Sequence, residues 1–173
     1  MPLRDLVRID GLPLSGRLIY SVAEYSFRFD VTDHAELNRR SGYGGRSSLE
    51  IETLQVEVDA ACGTVLFVWG YHPYHRWERD RCAPNRLVPG LVRARVVPGF
   101  LAGAAVGVAA VGEWCTVWDP MSGWVRVAPP GRVRDEVQVL VASQTVLGIT
   151  RGGLSSVWLH PEFEFGVRPE PNG

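Results

Sequence analysis

A chain of 173 residues with 46% hydrophobic and 21% charged side chains is long enough for one domain with its own core, and this balance excludes a disordered or membrane-embedded polypeptide. A formal net charge of −1 excludes the one-signed field that draws nucleic acid or anionic lipid to a whole surface. Nucleic-acid and membrane partners are therefore not expected.

The chain begins MPLRDLVRID, with charges every few residues, and has three cysteines, Cys62, Cys82 and Cys115. That pattern lacks the apolar stretch of a signal peptide, and the odd cysteine count fits reduced thiols in a cytoplasmic protein better than a disulfide framework. All 18 basic residues are arginine. Any basic patch is consequently a guanidinium patch, suited to bidentate contact with oxyanions and to stacking on rings.

Strand signals run along most of the chain. Arg17 to Val31 is rich in β-branched and aromatic residues, with Tyr25, Phe27 and Phe29 alternating against Ser26, Arg28 and Asp30. Asp33 followed by Glu36 is a capping-box signal for a short helix that ends near Arg40, before the glycines 42, 44 and 45. Leu49 to Asp59 reads as one strand whose apolar parity changes between Ile51 and Leu54. A β-bulge near Thr53 would restore a single inward face and leave Glu50, Glu52, Gln55, Glu57 and Asp59 as an acidic outer stripe.

Asp-x-x-x-Gly recurs at 59–63 and 119–123, where Asp can bond the backbone two residues on and Gly can take positive φ. Hairpins are predicted at both, with Thr64 to Tyr71 as an interior strand. A third is expected from Val137–Ala142 and Thr145–Thr150, followed after Arg151-Gly-Gly by Leu154–Leu159. The uncharged run from Phe100 to Gly112 is too short to cross a bilayer and is expected to be buried in protein. The fold class is accordingly mainly β: an antiparallel β-sandwich or partly open β-barrel with one short helix, formed by residues 1–160, with a Pro-rich tail over 161–173.

Reactive side chains are densest in His72 to Cys82. His72, His75 and Asp80 are the candidates for acid–base chemistry. Zinc ligation by His72, His75 and Cys82, helped by Glu78, Asp80 and the distant His34, Cys115 and His160, matches no recognised ligand spacing. No metal and no cofactor is therefore assigned. Four arginines lie within six residues of Cys82, which would favour its thiolate.

Between Arg76 and Arg95 six arginines face two acids, while Glu24 to Asp59 holds eight acids and four arginines. Neutralisation of the two segments across a sheet is the simpler expectation. If they lie apart, Arg76, Arg79 and Arg81 form a candidate anion site. Trp114 and Trp118, joined across the turn by Trp124 and Arg126, form a candidate binding face or one half of the core. The expected function is a binding or interaction protein without catalysis, whose partner is a protein or a small hydrophobic ligand. The alternative is a small β-barrel enzyme acting on a hydrophobic metabolite in a Trp-lined pocket.

Overall fold

The segment expected to be one bulged strand is a hairpin. In the computed structural model, which describes residues 5–96, 99–131, 134–151 and 153–166, β4 (Arg46–Ile51) and β5 (Leu54–Asp59) pair antiparallel with Ile51 opposite Leu54 and Leu49 opposite Val56. The reversal takes only two residues, Glu52 and Thr53, and Glu52 holds φ at 60°, as the first central position of a type II′ turn requires. A two-residue reversal shifts side-chain parity just as an inserted residue does. Leu49, Ile51, Leu54, Val56 and Val58 therefore all face the core, each fully buried. The actual register irregularity comes later, between Glu57 and Val58.

Glu52 tolerates the left-handed conformation because its carboxylate is held. It accepts from the backbone N–H of Gly112 at 2.9 Å and of Trp114 at 2.6 Å. The expected outer acidic stripe is correspondingly broken. Glu52 is engaged in this clamp, and Asp59 is buried in its own turn.

The two Asp-x-x-x-Gly turns form as expected. The Asp59 carboxylate accepts from the N–H groups of Ala61 and Cys62, and the Gly63 N–H donates to the Asp59 carbonyl at 2.8 Å. Asp119 does the same with Met121, Ser122 and Gly123. Hydrogen bonds from Ser122 and from backbone N–H groups keep the Asp119 carboxyl below its ordinary range.

The run Arg17 to Val31 is likewise a hairpin, β2 (Gly16–Ser21) and β3 (Ser26–Val31), with Tyr25 in its turn at φ 54°. Helix α1 (His34–Ser41) starts where Asp33 accepts from Ala35 and Glu36 N–H. Only half of the capping box forms, because the Glu36 carboxylate turns to Arg39 and Arg40 instead.

These hairpins build one seven-stranded sheet, in the order β10 (Ala105–Ala109), β4, β5, β6 (Val65–Tyr71), β3, β2, β16 (Glu162–Glu164). A second seven-stranded sheet runs β7 (Glu78–Arg79), β11 (Cys115–Trp118), β12 (Val125–Ala128), β15 (Gly153–Leu159), β14 (Thr145–Thr150), β13 (Val137–Ala142), β8 (Leu87–Pro89). A two-stranded ribbon of β1 (Asp5–Ile9) and β9 (Leu91–Arg95) stands beside them. Neither large sheet closes into a barrel, so the architecture is a β-sandwich.

Its main core lies between the sheets. Leu18, Phe27, Val56 and Val68 come from one side and Val127, Val139, Leu147 and Val157 from the other. Each such side chain contributes about 1.5–3 kcal/mol by leaving water. A smaller cluster of Leu14, Leu37, Leu66 and Ala142 lies under α1.

All four outermost strands of the two large sheets, β10, β16, β7 and β8, pair parallel with their neighbours, whereas every interior ladder is antiparallel. They are short segments of two to five residues, which limits the exposed hydrogen-bonding edge. Two expectations change here. The uncharged run at 100–112 is not buried, since β10 is an edge strand and Leu101 and Val111 are exposed; its small side chains cover little area. Within the expected tail, Glu162–Glu164 form the edge strand β16, while 167–173, like Gly152, lie outside the described residues.

Gly63 and Gly103 have nearly the same positive φ, 71° and 77°, but a Cβ on Gly63 would sit 2.0 Å from the Ala94 carbonyl oxygen whereas one on Gly103 meets nothing within 4 Å. In chemical denaturation Gly103→Ala is expected to cost about 1 kcal/mol from backbone strain alone. Gly63→Ala should cost at least about 2 kcal/mol more from the clash. Equal losses would contradict this geometry.

Candidate functional site

The end of β6 delivers the chain into the segment richest in reactive side chains, and the structure scatters them. His72 points inward and is 6% exposed. Its Nδ1 lies 3.0 Å from Thr53 Oγ1 and its Nε2 lies 2.7 Å from Thr116 Oγ1. A neutral imidazole satisfies both, donating through one nitrogen and accepting through the other. Burial, with a smaller contribution from the Arg76 guanidinium, lowers its pKa to about 4. His72 thus ties the β4–β5 turn to β11 across the two sheets.

His75, three residues on, is exposed and packs edge-on to Tyr25 with centroids 5.7 Å apart. Asp80 is exposed and accepts from the Arg81 N–H at 2.7 Å. His72, His75 and Asp80 therefore do not converge, and the described residues hold no group of three or more His, Cys, Asp or Glu side chains placed to share a metal ion. Cys82 lies beside the Val117 and Trp124 carbonyls, and burial together with Asp119 pushes its thiol up to about 11. The neighbouring arginines do not activate it.

The tryptophan face divides in the same way. Trp118 is cross-strand to Val125 and Thr116 to Val127, so these share the inward face, while Arg126 lies opposite Val117 on the outward face. Trp114 and Trp118 are half-buried against the core. Trp124 packs on His160 at 4.9 Å, and the Arg126 guanidinium sits 5.5 Å over the Trp158 ring. Trp114, Trp118, Trp124 and Arg126 are consequently not one surface. Val125 and Val127 belong to the core.

The expected neutralisation of basic by acidic segments is also absent. Among the described residues none of the arginines 76, 79, 81, 86, 93 and 95 lies within ion-pair distance of a carboxylate. The acidic segment is served by Arg28, Arg39, Arg40 and Arg46 instead. Arg76, Arg79 and Arg81 point to three separate cavities.

What the fold does bring together is aromatic. Trp77 leads into β7 and is 9% exposed. Its ring stacks on Phe27 at 5.8 Å, tilts against Tyr20 at 4.8 Å and meets Trp118 edge-on at 6.5 Å. Phe163, on the edge strand β16, lies 5.5 Å from Trp118 and 5.7 Å from Tyr20. The edges β16 and β7–β11 of opposite sheets thus meet across these rings. They leave a cleft of about 340 Å³ lined by Val22, Tyr74, Trp77, Arg79, Trp118, Phe163 and Phe165.

The Arg79 guanidinium lies 5.5 Å over the Trp118 ring. Among the described residues the buried indole Nε1 atoms of Trp77 and Trp118 have no hydrogen-bond partner. Trp77 also walls a second cavity of about 230 Å³ that contains His72, Arg76 and Trp114.

Sequence reasoning had singled out Trp118 and Arg79 but not Trp77, Phe163 or Phe165. Trp77 is surrounded by charged residues, and Phe163 lies in the segment read as a tail. No protein-family model matches the chain, and no curated protein matches it.

Folding depresses the His72 pKa, so its contribution is complete above the unfolded value near 6.5 and is lost as pH falls toward 4. The unfolded chain takes up the proton first, which is the sign that lowers stability in acid. A shift of this size corresponds to about 3 kcal/mol. His72→Gln should remove that part of the decline in unfolding free energy between pH 6.5 and 4. An unchanged pH slope would exclude a neutral buried imidazole.

Proposed function

We propose that this protein is a non-catalytic binding protein whose aromatic cleft takes a flat apolar ligand carrying a negative charge. The observation that carries the reading is the cleft at the junction of the two sheet edges, where apolar rings and a guanidinium that has no carboxylate partner among the described residues line the same 340 Å³.

Rings at a cleft wall offer stacking and edge contacts worth about 0.5–1.5 kcal/mol each beyond the area they bury. The lining is mainly apolar, and Arg79 and Tyr74 bring its polar groups. A ligand that brings its own oxyanion suits such a lining better than a neutral hydrocarbon, because its anion can meet the Arg79 guanidinium while its apolar body covers the rings. The cleft volume falls in the lower range of small-molecule sites. His72, His75 and Asp80 are not among its lining residues. Rings and a guanidinium hold and orient a ligand, and they offer no proton relay for acid–base chemistry.

The test uses 8-anilinonaphthalene-1-sulfonate, an aromatic anion, followed by its fluorescence. One site per chain is expected. Phe165 is 76% exposed and Arg79 is exposed, so Phe165→Ala and Arg79→Gln should leave the thermal midpoint nearly unchanged. Each should weaken binding about fivefold, the loss expected for roughly 1 kcal/mol. Affinity unchanged in both variants would refute the assignment.

A further inference from the structure

The outward face of the second sheet carries a different construction. Arg81 and Arg86 come from the loop after β7, and Arg126 comes from β12; all three line one cavity of about 680 Å³. We propose that this cavity binds a multiply charged oxyanion of the phosphate class, as inorganic pyrophosphate or as the phosphoryl group of a small molecule.

The loop is clamped to the sheet along its length. Cys82 N–H donates to the Asp119 carboxylate at 3.3 Å, Ser122 Oγ donates to the Cys82 carbonyl at 3.0 Å, and Asn85 N–H donates to Gln138 Oε1 at 2.8 Å. Backbone anchors on both sides of the loop hold Arg81 and Arg86 at the rim without engaging their guanidinium groups. Arg126 is steadied differently, its guanidinium lying 5.5 Å over the Trp158 ring. A loop backbone fixed in advance and a stacked Arg126 reduce the freedom lost when the guanidiniums fork onto an oxyanion, a geometry that lysine cannot match.

Two carboxylates also line the cavity, Asp135 and Glu136. Neither lies within ion-pair distance of the three arginines. The Glu136 carboxylate is already committed to the sheet. It accepts from Ser155 Oγ and Ser156 Oγ at 2.8 Å, from Gln138 Nε2 at 3.0 Å and from Trp158 Nε1 at 3.3 Å.

Its place is cut by Gly148, where a Cβ would come within 2.3 Å of the Glu136 carboxyl carbon. Four neutral donors saturate the acceptor capacity of one carboxylate. Glu136 therefore holds the floor in place and leaves the guanidiniums free for a ligand. Asp135 is exposed at the rim, where its charge is screened by water.

Three guanidiniums against a single exposed, hydrated acid favour a ligand with two or more negative charges over a monocarboxylate. The cavity exceeds the size of a bare phosphate and leaves room for an organic substituent. The aromatic cleft is not involved, so this inference stands or falls independently of the function proposed above.

Isothermal titration of the full chain with inorganic pyrophosphate is the test, with Arg81→Gln, Arg86→Gln and, as a control outside the cavity, the exposed Arg151→Gln. One site per chain is expected, with affinity falling at least tenfold in Arg81→Gln and in Arg86→Gln, unchanged in Arg151→Gln and weaker as salt is raised. Both cavity arginines are exposed, and an unaltered thermal midpoint will show that the variants fold. No saturable binding, or equal losses in all three variants, would overturn the site.

Discussion

The packing of Trp77 between the two sheets is the contact on which the rest of this end of the molecule depends. Its ring reaches Tyr20 and Phe27 on one sheet and Trp118 on the other, while the Tyr20 hydroxyl donates to the His72 carbonyl at 2.8 Å and accepts from the Tyr74 N–H at 3.0 Å. The aromatic plug and the backbone of the connecting segment are therefore fixed together. On one side of the ring lies the small cavity with the neutral His72, and on the other the open aromatic cleft. A side chain that bridges two layers sets their separation, because interiors packed at crystal-like density leave no slack for the sheets to drift.

The edges of the sandwich carry the aromatic cleft. Antiparallel ladders occupy the interior, and the short parallel strands β16 and β7 finish the sheets where the cleft opens. Charge follows the same division. Arg17 and Arg28 pair with Glu162 and Glu164 on β16 and hold that edge strand in register. These guanidiniums keep both carboxyls below their ordinary range, although pairs this exposed to solvent add little to stability. Among the described residues the arginines of the 76–95 segment make no such pairs, and Arg76, Arg79, Arg81 and Arg86 line cavities instead.

How much of this was legible in the sequence varies with the range of the interaction responsible. The turn chemistry of Asp59–Gly63 and Asp119–Gly123 is local and was readable. So was the parity change between Ile51 and Leu54, although its cause was misassigned. Glu-Thr carries none of the Asn-Gly or Asp-Gly signature of a tight reversal, and Glu52 accepts positive φ only because Gly112 and Trp114, sixty residues on, bond its carboxylate. The cleft was half legible. Trp118 and Arg79 stood out by residue type, but their meeting with Trp77 and Phe163 depends on which sheet edges face each other, and periodicity within one segment carries no such information. The dispersal of Arg76, Arg79 and Arg81 has the same origin, since three side chains close in sequence leave a winding loop in different directions.

The central claim is that Trp77 and Trp118 form the floor of a ligand cleft. The most direct measurement is a titration of the 15N-labelled protein with the aromatic sulfonate, following the indole N–H signals of its six tryptophans. The account predicts that the Trp77 and Trp118 signals move together and saturate while that of Trp158, whose Nε1 donates to Ser156 Oγ at 2.8 Å, stays in place. Movement of the Trp158 signal with the Trp77 and Trp118 signals unshifted would contradict it.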